Sequence, residues 1–242
     1  MLGLRRTGEA WCVGFPFEVP AFAAVEKLRF DRPVTLLAGE NGTGKSTILE
    51  TVAEAIGFAA EGGELERLGE LPAVPHSVLK GALVPELTAT KPHKGYYLRA
   101  ESFFNVARFI DSKDRFAPDL SIYGDVPLHE QSHGESFLAL AANRFGRESL
   151  YLLDEPEAAL SVSSELALLA VVIRAARAGA QFIIATHSPI LLACPDARIY
   201  EFDESGIGTP DYDDLEAVRL TRGFLATPER YLRAIEAGDE DS

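Results

Sequence analysis

A glycine-rich segment with one lysine and one serine is the part of this sequence best equipped for chemistry. Residues 39–46, GENGTGKS, fit the phosphate-loop pattern GxxxxGK[ST] at every fixed position, between an apolar run at 34–38 and a predicted helix. Glycines let successive backbone N–H groups turn toward one phosphate, Lys45 can reach the β- and γ-phosphates, and Ser46 can supply an oxygen to Mg²⁺. We therefore expect a nucleotide to be bound by Gly39, Asn41, Gly42, Thr43, Gly44, Lys45, Ser46 and Thr47.

An apolar run that ends in two carboxylates is the second candidate. Residues 150–155, LYLLDE, are typical of a buried strand, and open α/β sheets place their ligands at the carboxyl ends of strands. We expect Asp154 to hold Mg²⁺ and Glu155 to take a proton from the attacking water as general base. An acidic turn that merely ends a strand is about equally common alone, but the complete phosphate loop favours the catalytic interpretation.

Two shorter motifs lie 22 residues before and 33 residues after Asp154. Ser132, Gly134 and Glu135 belong to the pentapeptide SHGES, which precedes an amphipathic pattern, and His187 follows the apolar run FIIA. Alone, SHGES is more often an ordinary helix start with an acidic first turn, and a lone histidine after a strand is more often structural. Their order around the phosphate loop and the two carboxylates indicates a shared catalytic site.

In order and spacing, these motifs resemble the ATP-binding cassette (ABC) superfamily, whose signature element is matched by Ser132, Gly134 and Glu135. The switch histidine of the superfamily is matched by His187. The resemblance implies ATP and Mg²⁺ as ligands and the hydrolysis of ATP to ADP and phosphate. It also implies a homodimer that packs head to tail on ATP binding, so that each signature serine contacts the γ-phosphate held by the other copy. The catalytic residues that it implies are Lys45, Glu155 and His187.

Across nearly the whole chain the sequence also resembles a narrower group, the compact bacterial ABC-type proteins classed as AAA-family ATPases, and more distantly the ATPase heads of SMC and RecF type. The resemblance implies a P-loop NTPase of ABC type, an α/β fold with a mixed central sheet flanked by helices. It carries no information on the partner that uses the ATPase. The blocks that carry it are FPFEVPA (15–21), GENGTGKST (39–47), RAESFFN (99–105), LHEQSHGESF (128–137), YLLDEPEAALS (151–161), FIIATHSPILLA (182–193) and the end that contains Pro228.

Three positions depart from a standard cassette. The loop that normally offers a glutamine to Mg²⁺ reads Arg-Ala-Glu-Ser, so Glu101 is the candidate for that role, with capping of the next helix an equally good interpretation. Ser161 stands where an aspartate usually connects the two subunits, so the resemblance does not imply coupling between the two sites. No tyrosine precedes the phosphate loop to stack on adenine, and Phe15, Phe17 and Phe22 are better explained as core residues.

Length, charge and cysteines limit the classes of protein. The 242 residues include 37 acidic and 23 basic side chains, for a net charge of −14, and the acidic residues are concentrated toward an expected helical end at 215–242. This balance disfavours binding of nucleic acid by the chain alone, since such binding needs a basic stripe. Two widely separated cysteines and no membrane-spanning apolar run lead us to expect one cytoplasmic domain, residues 1–242.

Strand-like and helix-like runs alternate along the chain, which indicates a partly parallel sheet. Two strands around a proline-containing turn are expected within 11–30, as an antiparallel portion near the N-terminus, and a small helical or irregular insertion is expected at about 60–130. One further helix is predicted from the apolar stripe Val162, Leu166, Leu169, Ile173 and Ala176. The remaining expected strands lie at 34–38, 96–100, 150–153, 182–185 and 198–202, and the remaining helices at about 45–58, 102–111 and 135–145.

These observations favour a dimeric ATP hydrolase that acts as a conformational switch for an unknown protein partner. One alternative is the nucleotide-binding subunit of an ABC transporter, for which a membrane protein would be the partner. Another is an ATPase of the chromosome-maintenance or DNA-repair type, which the SHGES form favours. Only 86 residues separate Lys45 from Ser132, however, too few for the long coiled coil of an SMC arm.

Overall fold

A computed structural model describes residues 2–6, 19, 20, 22, 25–59, 62–65, 83–87, 92, 94–100 and 133–239. The strands are β1 (Leu2–Arg6), β2 (Lys27–Phe30), β3 (Val34–Gly39), β4 (Gly63–Glu64), β5 (Leu83–Leu87), β6 (Gly95–Arg99), β7 (Leu150–Asp154), β8 (Gln181–Ala185), β9 (Arg198–Asp203) and β10 (Gly206–Gly208). The α-helices are α1 (Lys45–Ile56), α2 (His133–Arg144), α3 (Val162–Arg177), α4 (Pro189–Leu192), α5 (Glu216–Ala226) and α6 (Pro228–Asp239), with 3₁₀ turns at Pro156–Ala159 and Tyr212–Asp214.

The larger sheet of the described residues has seven strands, in the order β10-β9-β3-β8-β7-β6-β4. The strands β9, β3, β8, β7 and β6 run parallel, whereas β10 and β4 pair antiparallel at the two edges. The central strands β3, β7 and β8 are buried along almost their whole length, as expected for strands covered on both faces. The mixed central sheet of the predicted α/β fold is confirmed.

Alternate side chains of each strand point to opposite faces of this sheet, and helices cover both faces. Leu36 and Leu153 pack with side chains of α2, α3 and α4 on one face. Leu37 and Leu152 pack with side chains of α1 on the other face, in a cluster that also includes Leu4 of β1. The core therefore has two layers, and the sheet between them fixes where each strand ends.

A smaller antiparallel sheet has β1 between β2 and β5. The antiparallel portion predicted near the N-terminus is therefore present, but its first strand is β1, which precedes the expected range 11–30. This position is a correction to the sequence analysis. The segment LGLRR contains a glycine, a weak strand former, and no β-branched or aromatic residue, and pairing with neighbours on both sides stabilises it as a strand.

The range 60–130, expected as an inserted helical or irregular lobe, is described at only a few places. There, β4 and β6 belong to the larger sheet and β5 belongs to the smaller one. These three stretches thus join the body of the fold. The helix expected at 102–111 lies outside the described residues, and the inserted lobe stays a prediction.

The apolar stripe expected along α3 is wrong at its first two positions. Val162 and Leu166 are 65% and 55% exposed. Apolar residues occur on several sides of this helix, so their spacing alone did not select the face that packs on the sheet. Leu169, Ile173 and Ala176 lie partly buried beside the core. The buried residues of the helix are Leu168, Val171, Val172 and Ala175.

The described part of the chain ends in two helices, α5 and α6, within the range expected to be helical and acidic. Leu215 and Val218 attach this region to the core. Leu225 and Ile235 are exposed, at 71% and 62%. Within the described ranges, no helix combines the length and apolar character that crossing a membrane requires.

Candidate active site

Four neighbouring parallel strands end at the same edge of the larger sheet, which we call the carboxyl edge. The ends are Gly39 of β3, Arg99 of β6, Asp154 of β7 and Ala185 of β8. Asp154 is paired in register with Arg99 on one side and with Ala185 on the other. The side chains and loops that follow these strands are therefore brought together, as in open α/β sheets that bind ligands at this edge.

The phosphate loop joins β3 to α1 and depends on glycine at two close approaches. Gly39 has a φ of 132°, and a Cβ there would lie 2.3 Å from the carbonyl oxygen of Phe202. Gly44 has a φ of 100°, and a Cβ there would lie 2.7 Å from the ring of Phe22. Any side chain at either position would strain the backbone and clash. Phe22 is fully buried, which agrees with its core interpretation, whereas Phe15 and Phe17 lie outside the described residues.

The rest of the loop presents polar groups near the start of α1. Asn41 and Gly42 are exposed, and Gly42 also has a positive φ, of 82°. The hydroxyl of Thr43 donates a hydrogen bond to the carbonyl of Glu40 at 2.8 Å, which holds the turn. Thr47 lies half-buried in the first turn of α1. Because α1 begins at Lys45, its first backbone N–H groups and the positive end of its dipole belong to this loop.

Lys45 is a buried cation inside the loop. Its side chain is 2% exposed, and Nζ donates to the carbonyls of Gly39 and Glu40 at 2.7 and 2.6 Å. Nζ also lies 3.9 Å from Oε1 of Glu155. Burial lowers the pKa of Lys45 from its ordinary value, and the carboxylates around it, Glu155 foremost, oppose this shift. The ammonium group is thus held by oxygen atoms at the point where a phosphate would bring further negative charge.

Ser46 and Asp154 form the candidate magnesium site. The hydroxyl of Ser46 donates a hydrogen bond to Oδ1 of Asp154 at 2.9 Å, which joins α1 to the end of β7. Burial raises the pKa of Asp154 to about 6, although the hydrogen bond from Ser46 and the charge of Arg99 act in the opposite direction. A hydroxyl and a carboxylate are the hard oxygen ligands that Mg²⁺ prefers, so these two residues fit that ion.

Arg99 connects the same carboxylate to the phosphate-loop helix. Its Nε lies 3.6 Å from Oδ2 of Asp154, and its Nη1 lies 2.9 Å from Oε1 of Glu50 in α1. Glu101, the sequence candidate for a further magnesium ligand, lies outside the described residues. Arg99 is therefore a charged group of the carboxyl edge that the sequence analysis noted only as part of a motif.

Glu155 adopts a backbone conformation that is rare for a residue with a side chain. Its φ is 47°, in the left-handed region, and its backbone N–H donates to the carbonyl of Ala185 at 2.9 Å. Such strain concentrates at functional sites and persists where neighbouring structure holds it. The side chain is 29% exposed beside Lys45, so the carboxylate is open to solvent at the carboxyl edge. This placement suits a group that accepts a proton from water.

Besides Asp154, the turn after β7 contains another buried carboxylate, Glu157, two residues after Glu155. It was not predicted as a site residue. Its Oε1 accepts hydrogen bonds from the hydroxyl of Thr186 and the backbone N–H of His187, both at 2.7 Å. The same oxygen lies 3.3 Å from Nδ1 of His187. The imidazole itself is 48% exposed. In the sequence, a glutamate in the turn after a strand looks like any acidic first-turn residue, and no spacing signal distinguished it.

The signature region is described only in part. Helix α2 begins at His133, and a Cβ on Gly134 would lie 3.0 Å from the carbonyl oxygen of Ala159. The start of α2 therefore packs closely against the 3₁₀ turn that follows Asp154. Glu135 is exposed in the first turn, whereas Ser132 lies outside the described residues. Ser161 accepts the backbone N–H of Ser164 at 3.3 Å and so caps α3.

The structure places Lys45 beside Glu155 and Ser46 beside Asp154 at the carboxyl edge. His187 lies in the loop that follows β8 at the same edge, where it contacts Glu157. Across the chain segments that the structure covers, no three histidine, cysteine or acidic side chains form a metal-binding group. The candidate magnesium ligands are accordingly one carboxylate and one hydroxyl.

Two family models match the chain. Residues 95–193 match the model described as "AAA domain, putative AbiEii toxin, Type IV TA system". Residues 21–70, which contain the phosphate loop, match a model described as "AAA domain". The two matched stretches hold β3, β6, β7 and β8, the four strands that end at the carboxyl edge.

Curated relatives and solved structures agree with these matches. The chain is 32% identical over 158 residues to the cytochrome c biogenesis ATP-binding export protein CcmA of Gluconobacter oxydans, covering 65% of this chain and 69% of the relative. The CcmA protein of Nitrobacter winogradskyi is 28% identical over 170 residues, with 67% and 82% covered. The structure of cbiO1 from Clostridium perfringens, part of the ABC transporter complex cbiONQ, covers 97% of this chain and 98% of its own with a TM-score of 0.54 and 16% identity, which establishes a shared fold. With the phosphate loop, the paired carboxylates and the parallel sheet already in place, the chain belongs to the ATP-binding cassette family of ATPases.

Proposed function

We propose that this protein hydrolyses ATP to ADP and phosphate with Mg²⁺ bound, as a head-to-tail homodimer that switches conformation for a protein partner. The observation that carries the proposal is the carboxyl edge, where Lys45, the Ser46–Asp154 pair and Glu155 converge. The curated relatives are ATP-binding proteins, which supports ATP as the nucleotide.

Each residue of the edge has a distinct task in this proposal. Backbone N–H groups of the phosphate loop and the ammonium of Lys45 bind the β- and γ-phosphates, whose charge Lys45 offsets. Ser46 and Asp154 would hold Mg²⁺, which neutralises negative charge on the phosphates when it is bound. Glu155 orients a water molecule and accepts its proton as that water attacks the γ-phosphate.

The chemical part of the proposal is tested by Glu155→Gln. The amide keeps the shape of the side chain but does not accept a proton, so we expect turnover to fall about 10²- to 10⁴-fold while ATP affinity stays within about threefold. ATP should then hold the variant as a dimer in size-exclusion chromatography. Glu204→Gln, in the exposed turn between β9 and β10, is the matched control with the same change of charge. A Glu155→Gln protein that turns over like wild type would overturn the assignment of the base.

The dimer is tested by mixing two inactive variants. Lys45→Ala removes the phosphate-loop cation, and Ser132→Arg places a bulky charge where the resemblance has the serine that serves the other copy. If each site uses both copies, a mixed dimer contains one intact site, and random pairing gives about a quarter of wild-type turnover. Substantial turnover by Ser132→Arg alone would contradict the shared site.

A second candidate function is the nucleotide-binding subunit of a transporter. The observation that favours it is that both curated relatives are ATP-binding export proteins. Glu155→Gln, held with ATP and isolated from native cells, should then carry a membrane-spanning partner with it. Recovery of soluble proteins alone would favour the switch function without a transporter.

A further inference from the structure

The side chain of Glu157 has an unusual environment for a carboxylate. It is 6% exposed, and three polar groups of the loop after β8 converge on one oxygen, Oε1. These are the hydroxyl of Thr186, the backbone N–H of His187 and the ring nitrogen Nδ1 of His187. Oε2 is buried and has no hydrogen-bond partner within the described parts of the chain.

These contacts fix both the backbone and the side chain of the loop that follows β8. Thr186 is buried, and its backbone N–H donates to the carbonyl of Leu37 at 3.0 Å, so the residue before the histidine is anchored to β3. Glu157 adds a bond to the N–H of His187 and faces Nδ1 of its ring. An exposed imidazole would otherwise sample several rotamers, some with Nδ1 and others with Nε2 toward the site.

The energetic cost of this arrangement argues for a purpose beyond folding. A buried carboxylate loses hydration, and a buried oxygen without a hydrogen-bond partner adds to that cost. A neutral side chain could accept the same two hydrogen bonds without a buried charge. Unsatisfied buried groups of this kind are uncommon, so this one calls for an explanation beyond the packing of the loop.

We propose that Glu157 is the positioning residue for His187: its carboxylate holds the loop backbone and faces Nδ1, so that Nε2 is the ring nitrogen presented to the nucleotide. The proposal rests on the proposed function, because it deepens the role of the histidine in ATP turnover. Glu157 acts through His187 and does not itself touch the nucleotide. This separates it from Glu155, two residues away, which is open to solvent at the carboxyl edge.

A double-mutant cycle tests the connection. Glu157→Ala should lower turnover about 10- to 100-fold, by analogy with removal of the partner that orients a metal-bound histidine, and should leave ATP affinity within about threefold. In the His187→Ala background the same change should cost less than about threefold, because the residue it positions is already gone. Equal losses in the two backgrounds would overturn the proposal.

The matched control is Glu165→Ala. Glu165 accepts a hydrogen bond from the hydroxyl of Ser188 and so anchors the same loop one residue beyond the histidine. We expect this variant to keep turnover within about threefold. If Glu165→Ala lowers turnover as much as Glu157→Ala does, general loop anchoring explains the effect and the positioning role is wrong. Should Glu157→Ala fail to fold, Glu157→Gln completes the cycle, because its amide oxygen retains the acceptor but the charge is lost. We expect turnover within about tenfold of wild type and no further loss in the His187→Ala background, and equal losses in the two backgrounds would overturn the proposal.

A spectroscopic measurement on the nucleotide-free protein separates this inference from the proposed function. Long-range ¹H–¹⁵N spectra, assigned with His187→Ala, report which ring nitrogen of His187 carries the proton. In wild type the proton should reside on Nδ1, the ring nitrogen that faces Glu157. Glu157→Ala should shift the proton toward Nε2. An unchanged ring in Glu157→Ala would overturn the positioning role. A wild-type protein that does not hydrolyse ATP but shows the shift would instead overturn only the proposed function.

Discussion

The two edges of the parallel sheet place the same types of charged residue in opposite environments. At the carboxyl edge, Lys45 and Asp154 have side chains that are 2% and 7% exposed. At the amino edge, where β3 and β9 begin, Asp31 and Arg198 form a two-bonded ion pair at 2.7 and 3.0 Å. Both members of this pair are about one-third exposed. The carboxyl edge thus buries these two charges, whereas the ion pair at the amino edge stays in contact with water.

The two aspartates respond in opposite directions. Burial raises the pKa of Asp154 to about 6. Burial also acts to raise the pKa of Asp31, but the hydrogen bond and charge of Arg198 outweigh it and hold that pKa below 3.8. A raised pKa in an acid means that its charged form costs folding free energy, whereas a lowered pKa means that its charged form contributes stability. The difference indicates that the carboxyl edge gives up stability to keep its charges, and the amino edge does not.

The largest expected effect is on nucleotide binding at the carboxyl edge. Lys45→Ala removes a buried cation that faces the phosphate loop, and a charge-assisted contact of this kind corresponds to about a 100-fold loss of ATP affinity. Arg198→Ala removes a cation of the amino edge and should leave affinity within about twofold. Titration with a fluorescent ATP analogue measures both. If Lys45→Ala binds the analogue as tightly as wild type, the functional contrast between the edges is wrong.

A smaller effect is expected on stability at the carboxyl edge. Asp154→Asn removes a buried charge, so we expect the nucleotide-free protein, with chelator present, to gain about 2 kcal/mol at pH 7, within the roughly 3 kcal/mol that two pKa units represent. Part of this gain is offset because Arg99 loses the negative charge that faces it, and the amide N–H groups of the asparagine are donors that cannot pair with the guanidinium. Urea unfolding of the two proteins measures the difference.

The difference in stability between Asp154→Asn and wild type should change with pH in a direction that the raised pKa of Asp154 fixes. The wild-type folded state takes up a proton on Asp154 between pH 6 and 4, before the unfolded chain does, so stability lost above pH 6 returns as the pH falls. The advantage of Asp154→Asn should therefore shrink toward zero near pH 4. An advantage that stays constant from pH 7 to pH 4 would indicate that burial of the charge is not its source.

The contrast between the edges also explains what the sequence could predict. The phosphate loop was predicted because it has a fixed sequence pattern. Asp154 and Glu155 were predicted because they directly follow an apolar run, which indicates the end of a buried strand. The central strands were predicted for the same reason, since β7 and β8 are continuous apolar runs. Local patterns were sufficient for the phosphate loop and for the two carboxylates at the end of β7, but not for the role of Arg99 at the end of β6.

Other features depend on partners that are distant along the chain. Glu157 is defined by Thr186 and His187, which lie 29 and 30 residues further on. The pair of Asp31 and Arg198 spans 167 residues. The strand β1 is defined by neighbours on both sides, and the buried face of α3 by the sheet beneath it. None of these follows from local spacing, because each is selected by tertiary packing.

The smallest expected effect is at the amino edge, where Asp31→Asn should lower stability by about 0.5 kcal/mol at pH 7, typical of an ion pair in contact with solvent. The asparagine keeps one acceptor for Arg198 but loses the charge. Because the pKa of Asp31 is lowered on folding, its contribution is complete above pH 3.8 and is lost as the pH falls through the folded value. The deficit of Asp31→Asn should thus persist from pH 7 to pH 5 and narrow only below about pH 4, and high salt should reduce it. Over the same interval the advantage of Asp154→Asn declines, so urea unfolding of both variants at pH 7 and pH 5 compares the edges directly. Parallel trends in the two variants would contradict opposite roles for the two aspartates.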